Sequence, residues 1–174
     1  MAARIIVVLG GSRSGKSVVA EREAAAAGGS VTYLATGPAV DAAVDADWAR
    51  RVAEHRARRP PEWTTVEVGE PGELVPALRG APGTVLLDAL GTWVAGAPGF
   101  AVPGDALCRA LVERAGSGRT SVVVSEEVGL GVHPPTETGR RFAEALGELN
   151  QAVAACAERV LLVVAGRVLE LPGA

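Results

Sequence analysis

The segment Gly10-Gly11-Ser12-Arg13-Ser14-Gly15-Lys16-Ser17 is the part of this sequence whose residue types and spacing point most directly to chemistry. It fits the pattern G-x-x-x-x-G-K-[ST], in which glycines let a loop wrap so that its backbone N–H groups point at phosphate oxygens. We expect Lys16 to reach the β- and γ-phosphates and Ser17 to ligate Mg²⁺. A glycine-rich structural turn is the alternative. The apolar run before the loop and the helical pattern after it favour phosphate binding.

Lys16 stands out in composition as well. Sixteen of the 17 basic residues are arginine, and Lys16 is the only lysine in the chain. An ammonium is a compact point charge, whereas a guanidinium is a broad planar fork. We therefore interpret Lys16 as a catalytic residue that was kept for its shape.

A candidate metal ligand ends another apolar run, Val85-Leu86-Leu87-Asp88. A carboxylate at the carboxyl end of a strand is where P-loop enzymes place the acid that holds Mg²⁺. We therefore predict that Ser17 and Asp88 form the metal site. Asp88 could instead cap the following helix, since aspartate is a favoured N-cap residue.

A second chemically suggestive cluster surrounds His55, between Trp48 and Pro60. At helical spacing Arg51 lies one turn before His55, and two further arginines lie one turn after it. Nearby positive charge lowers the pKa of a histidine, which keeps the imidazole neutral and nucleophilic at pH 7. The alternative is that His55 packs half-buried beside a solvated basic face.

Short β-branched runs alternate with helical patterns along the chain, which predicts strands and helices in alternation. The predicted strands are Arg4–Leu9, Val31–Ala35, Thr64–Val68, Thr84–Asp88, Thr120–Ser125 and Val160–Val164. The predicted helices are Ser17–Ala27, Asp41–Arg58, Pro71–Leu78, Gly104–Ala115 and Thr136–Glu158. This order predicts an α/β fold, a mainly parallel sheet with helices on both faces.

The end of the chain and the glycine- and proline-rich stretches complete this prediction. The tail Leu161–Leu171 contains a turn between two apolar runs, which predicts a hairpin with an antiparallel edge strand. We interpret Gly80–Gly83 and Ala95–Gly104 as loops rather than linkers, so residues 1–174 are expected to form a single domain. Ligands of open parallel sheets bind at the carboxyl ends of the strands, where the candidate residues fall.

Composition narrows the class of protein. The net charge of −3 and the pI near 5.5 argue against a nucleic-acid partner, which usually faces a basic surface. Two cysteines are too few for a disulfide framework and lack metal-ligand spacing. The apolar start is too short to span a membrane. We therefore expect a cytoplasmic protein without a membrane span.

Taken together, the motifs resemble the bifunctional adenosylcobinamide kinase / adenosylcobinamide-phosphate guanylyltransferase family of cobalamin biosynthesis, of the CobU/CobP type. The resemblance runs nearly end to end. It rests on the phosphate loop, Tyr33-Leu34-Ala35-Thr36, His55-Arg56-x-x-Arg59-Pro60, Trp63 with Glu67, Leu86-Leu87-Asp88, Glu127-Val128-Gly129-Leu130-Gly131 before Pro134, and Asn150-Gln151. The phosphate loop is shared by many families, whereas the histidine motif with Glu-Val-Gly-Leu-Gly is far more specific.

The resemblance implies a P-loop NTPase-like fold and two reactions. A nucleoside triphosphate, ATP or GTP, would phosphorylate the aminopropanol hydroxyl of adenosylcobinamide. GMP would then pass from GTP to that phosphate through a guanylylated histidine, which matches His55. The implied nucleotide-binding residues are Gly10, Gly11, Ser12, Arg13, Ser14, Gly15, Lys16, Ser17, Ala35, Thr36, Gly37, Arg56, Ala57, Arg58, Arg59, Glu67 and Asp88. The family also implies a homotrimer, with the His55 helix near a subunit boundary.

Some positions depart from the family pattern. Glu126 stands where many relatives have asparagine, and the region Ala95–Gly118 is short, which leaves the kinase half less supported than the guanylyltransferase half. His133 lies in a proline-flanked loop and is interpreted as structural or weakly substrate-contacting. The alternatives are a small-molecule P-loop kinase in which His55 is incidental, and a non-enzymatic nucleotide-binding regulatory protein.

Overall fold

The computed structural model describes residues 4–37, 50, 53, 56–57 and 59–173. The strands are β1 (Ile5–Gly10), β2 (Val31–Thr36), β3 (Thr64–Val68), β4 (Thr84–Asp88), β5 (Ser121–Glu126), β6 (Arg159–Val164) and β7 (Arg167–Leu171). The helices are α1 (Lys16–Ala27), α2 (Leu74–Gly80), α3 (Leu90–Gly96), α4 (Gly104–Gly116) and α5 (Glu137–Ala155). Short 3-10 helices occupy Pro71–Glu73 and Pro98–Phe100.

These strands form one sheet in the order β3-β2-β4-β5-β1-β6-β7. Every neighbouring pair is parallel except β6 with β7, which are antiparallel. This confirms the predicted α/β fold and the C-terminal edge hairpin. The hairpin turn is Ala165-Gly166, and both residues have positive φ, as a two-residue turn with the right twist requires.

The core lies on both faces of the sheet because successive side chains of a strand point to opposite faces. Within β1, Ile5, Val7 and Leu9 pack with the side chains of α2 to α5. Ile6 and Val8 face the other way, against α1. Burial on both faces explains why β1 reads as a continuous apolar run in the sequence.

One helix of the structure was not predicted. The stretch Ala95–Gly104 was predicted as a loop, but α3 begins at Leu90 and continues to Gly96, with a 3-10 helix after it. Helix α3 is short and contains two glycines, so its local propensity is weak, and its burial stabilises it.

The predicted helix Asp41–Arg58 falls largely outside the described residues. Arg50, Ala53, Arg56 and Ala57 are described and are helical. Among the residues that the structure describes, no helix is both long enough and apolar enough to cross a membrane. Cys108 and Cys156 are free thiols.

Candidate active site

The phosphate loop connects the end of β1 to the beginning of α1, as its pattern predicts. Gly10 has no room for a side chain, since a Cβ there would lie 2.4 Å from Ser14 Oγ and 2.8 Å from the Val163 carbonyl oxygen. Gly15 has a φ of 94°, a conformation that side chains disfavour. The two glycines are therefore required by the close wrapping of the loop.

The C-terminal hairpin supports this loop from outside. The Gly166 N–H donates to the Ser14 carbonyl oxygen at 2.8 Å. A Cβ on Gly15 would lie 3.4 Å from the Cα of Gly166, so the two backbones nearly touch. The turn between β6 and β7 thus fixes the loop through backbone contacts.

Lys16 folds back over the loop that it follows. Its Nζ donates to the Gly11 carbonyl oxygen at 3.4 Å and lies 3.5 Å from Glu126 Oε1. Only 12% of the side chain is exposed. The ammonium and the N-terminus of the twelve-residue helix α1 face the same space, which makes that space favourable for an anion.

Glu126 is a site residue that the sequence did not single out as functional. It ends β5 and is paired in register with Gly10 of β1. One carboxylate oxygen accepts the Gly91 N–H at 3.1 Å, and the Glu126 carbonyl oxygen accepts Asn150 Nδ2 at 3.0 Å. Its place at the end of a strand next to the loop could be found only once the strand order was known.

Asp88 ends β4, and the hydroxyl of Tyr33 donates to its Oδ2. Burial and the adjacent carboxylate raise the pKa of Tyr33 above its usual range, so the phenol remains a donor. The guanidinium of Arg59 lies 3.5 Å from the centre of the Tyr33 ring. The N-cap of α3 is Ala89 rather than Asp88, so the capping alternative is not what the structure shows.

The end of β2 is tied tightly to the residue after Asp88. Thr36 Oγ1 accepts the Ala89 N–H at 2.9 Å and lies 2.6 Å from the Ala89 carbonyl oxygen. Ala35 is paired in register with both Asp88 and Glu67. The buried Thr36 hydroxyl therefore holds β2 against this turn.

The described part of the arginine-rich segment lies over β3. Arg56 Nη2 is 2.6 Å from Glu67 Oε1, and both side chains are more than half exposed. Arg59 Nη1 donates to Thr65 Oγ1 at 3.2 Å, whereas its buried Nε has no hydrogen-bond partner. Ala57 is exposed. His55 and Arg58 lie outside the described residues.

The strand order brings the described candidates to one edge of the sheet, at the carboxyl ends of the parallel strands. A hollow lined by Arg4, Glu23, Arg119 and neighbours lies at the opposite, amino edge and contains none of the predicted site residues. His133 is exposed in the loop after β5. Asn150 is buried and supports β5, and its neighbour Gln151 is exposed.

The chain is similar in sequence to known proteins over nearly its whole length. A family model described as cobinamide kinase / cobinamide phosphate guanyltransferase matches residues 6–171. The chain is 43% identical to the bifunctional adenosylcobalamin biosynthesis protein CobP of Pseudomonas aeruginosa, over 96% of each chain. It is 35% identical to the corresponding CobU protein of Escherichia coli, over 93% of this chain and 96% of the relative.

Solved structures resemble the chain in fold alone. The flagellar accessory protein FlaH of Methanocaldococcus jannaschii gives a TM-score of 0.54 at 13% identity, over 97% of this chain and 76% of that one. An ATPase of a bacterial type III secretion system gives 0.57 at 12% identity, over 91% of this chain and 50% of that one. The chain itself belongs to the cobinamide kinase / cobinamide phosphate guanyltransferase family.

Proposed function

We propose that this member of the cobinamide kinase / cobinamide phosphate guanyltransferase family carries out both reactions at the carboxyl edge of its sheet. In the first, a nucleoside triphosphate phosphorylates the aminopropanol hydroxyl of adenosylcobinamide. In the second, GMP passes from GTP to adenosylcobinamide phosphate, giving adenosylcobinamide-GDP and pyrophosphate. The observation that carries this proposal is the folded phosphate loop with Lys16 over it, at the same sheet edge as Asp88 and Glu67.

The kinase step needs little beyond positioning and charge, because phosphoryl transfer passes through a loose transition state. The loop N–H groups and Lys16 would hold the triphosphate. The oxygen donors of Ser17 and Asp88 suit Mg²⁺, which prefers oxygen ligands and keeps several waters. Asp88 ends β4, and Ser17 follows β1 through the phosphate loop. One strand, β5, lies between β4 and β1, so the two strands are about 10 Å apart. When bound, Mg²⁺ would neutralise charge on the phosphates.

For the guanylyl step we propose His55 as the nucleophile on the α-phosphate of GTP. Arg56, Arg58 and Arg59 would stabilise the charge that develops there. We assign guanine or ribose recognition to Glu67, since a carboxylate accepts the donors of either group. Its pair with Arg56 is exposed, and such pairs contribute little, so a nucleotide could replace it at small cost.

The proposed nucleotide set spans a wide part of the sheet edge. From β1 to β3 there are four inter-strand steps, or about 19 Å. A nucleotide with its phosphates on the loop must therefore lie along the edge, across β5 and β4, to reach Ala35, Thr36 and Gly37.

Mass spectrometry of the purified protein after incubation with GTP and Mg²⁺ tests the proposal. We expect a GMP-sized addition on His55 that is released by acid and stable to alkali, as a phosphorus–nitrogen bond should be. ATP should label poorly. Labelling should fall as the pH drops, because the protonated imidazole has no lone pair to attack.

The variant His55→Asn separates this function from its alternatives. It should lose the adduct and the guanylyltransferase activity but keep some kinase activity, because phosphoryl transfer relies on the loop and Mg²⁺. Full guanylyltransferase activity in the variant would reduce His55 to a packing residue and overturn its role as the nucleophile. Absence of any turnover with a hydroxylated acceptor would favour a nucleotide-binding regulatory protein.

A further inference from the structure

Glu126 lies at the carboxyl edge of the sheet, where the phosphate loop and Asp88 are proposed to carry out the kinase step. It ends β5, the strand between β1 with its phosphate loop and β4 with Asp88. Its register partner on β1 is Gly10, the first residue of the loop. Since these parallel strands end at one edge, the Glu126 carboxylate lies between the phosphate cradle and the candidate metal ligand.

The structure holds Glu126 through both its carboxylate and its backbone carbonyl. Oε2 accepts the Gly91 N–H at 3.1 Å, and a Cβ on residue 91 would lie 2.0 Å from that oxygen, so a side chain there would displace the carboxylate. On the backbone side, Asn150 Nδ2 donates to the Glu126 carbonyl oxygen, and Ser125 Oγ donates to Asn150 Oδ1 at 2.6 Å. Supporting contacts of this kind are what a functional side chain needs to hold its geometry.

The other carboxylate oxygen faces the position expected for the reacting phosphate. Oε1 lies 3.5 Å from Lys16 Nζ, and 33% of the Glu126 side chain is exposed. In a phosphate loop the lysine ammonium contacts the β- and γ-phosphates. An oxygen this close to Nζ is therefore within reach of a hydroxyl group that approaches the γ-phosphate from the open side.

A counterion for Lys16 is the simplest alternative role, but it fits the electrostatics poorly. A carboxylate beside a bound triphosphate repels it, so the negative charge weakens nucleotide binding. A neutral amide could accept the same Gly91 N–H without that repulsion. What the carboxylate adds is the capacity to accept a proton.

We propose that Glu126 is the general base of the kinase step, an inference that rests on the proposed kinase function. The acceptor hydroxyl oxygen forms a bond to the γ-phosphorus as its proton passes to Glu126. The bond from that phosphorus to the bridging oxygen breaks, and its electron pair remains on the β-phosphate of the departing nucleoside diphosphate. The proton on Glu126 returns to solvent after product release.

Steady-state kinetics of Glu126→Gln with ATP, Mg²⁺ and adenosylcobinamide tests this role. We expect kcat of the kinase step to fall about 100-fold, the lower end of the range for a general base, because the transition state is loose. Nucleotide affinity by calorimetry should stay the same or tighten, since a negative charge has been removed. The matched control is Glu113→Gln, a surface glutamate paired with Arg79, which should leave both values unchanged.

Guanylylation of His55 gives a second readout on the same variant. That step involves attack by an imidazole rather than a hydroxyl, so labelling by GTP should remain near the wild-type rate. If Glu126→Gln does not fold, as judged by thermal unfolding, Glu126→Asp and Glu126→Asn make the same comparison between acid and amide in a shorter side chain. The acid should then retain at least tenfold more kinase activity than the amide.

The outcomes separate the two proposals. If the wild-type protein is active and kcat is unchanged in Glu126→Gln, Glu126 is not the general base and acts as a counterion of Lys16. Loss of nucleotide affinity in step with kcat would also overturn the general base, because Glu126 would then act by holding Lys16. A wild-type protein without any kinase activity would instead reject the proposed function, and this step with it.

Discussion

At the scale of single residues, Lys16 gives the most direct test of the phosphate cradle. Lys16→Ala removes a charged donor from the phosphates, and Lys16→Arg replaces it with a group too broad for its place. The ammonium lies 3.4 Å from the Gly11 carbonyl oxygen with 12% of the side chain exposed, which leaves little room for a guanidinium. We expect both variants to lose roughly 100-fold in nucleotide affinity, as the loss of two charged hydrogen bonds implies.

Isothermal calorimetry with a nonhydrolysable nucleotide measures this affinity directly. Arg22→Ala is the matched control, because it removes one positive charge from an exposed position on α1 and should bind nucleotide normally. Near-normal affinity in Lys16→Arg would show that the charge of residue 16 matters and its shape does not.

The role of Asp88 as a metal ligand is tested by the Mg²⁺ dependence of the activity. Asp88→Asn keeps an oxygen that can accept from the Tyr33 hydroxyl, so the fold should survive, but the amide is a weaker ligand for Mg²⁺. We expect the Mg²⁺ concentration for half-maximal activity to rise about tenfold or more. Tyr33→Phe is the control, since it removes the hydrogen bond and keeps the carboxylate. An unchanged Mg²⁺ titration in Asp88→Asn would remove Asp88 from the metal site.

At the scale of elements, Arg114 connects α4 to the elements around it. Its side chain is fully buried and donates to the carbonyl oxygens of Leu78, Ala81 and Gly83 and to the Ser121 hydroxyl. Burial lowers the pKa of Arg114 to about 10, with a further contribution from the positive charge of Arg119, so it remains charged at neutral pH. It thus holds the end of α2 and the loop after it against β5.

Replacement of this arginine should therefore destabilise the protein. We expect Arg114→Met to lower the free energy of unfolding by about 3 kcal/mol or more, because several buried acceptors lose their donor. Urea unfolding with an unchanged m-value measures it. Arg109→Met, at an exposed position of the same helix, should change stability by less than about 0.5 kcal/mol. Equal stability of the two variants would mean that the buried contacts contribute nothing net.

At the scale of the whole molecule, we predict a homotrimer from the family resemblance. Strand β7 is an edge of the sheet and exposes apolar side chains at Val168 and Leu169, which is unusual for an edge strand that stays in water. Light scattering across a range of protein concentrations should give the mass of three chains. A monomer at every concentration would contradict this and would weaken the idea that a neighbouring subunit completes the site.

The sequence determined most of what depends on neighbouring residues. The phosphate loop, its strand and its helix were predicted within one residue because glycine spacing and apolar periodicity are local properties. The hairpin at Ala165-Gly166 followed from a turn between two apolar runs in the same way. Asp88 was placed at a strand end for the same reason, and His55 was singled out by its arginines and by family resemblance.

Only the tertiary structure decided which strand ends are neighbours. The order β4-β5-β1 puts Glu126 beside Lys16, although 110 positions separate them, and nothing local in the sequence encodes that pairing. Arg114 is a second example. Nothing in its local sequence distinguishes it from a surface arginine, and only the fold places α2, the following loop and β5 around it. Helix α3 was missed because its propensity is weak and burial stabilises it. Contacts between distant segments depend on the packing of the whole sheet, so local sequence patterns do not predict them.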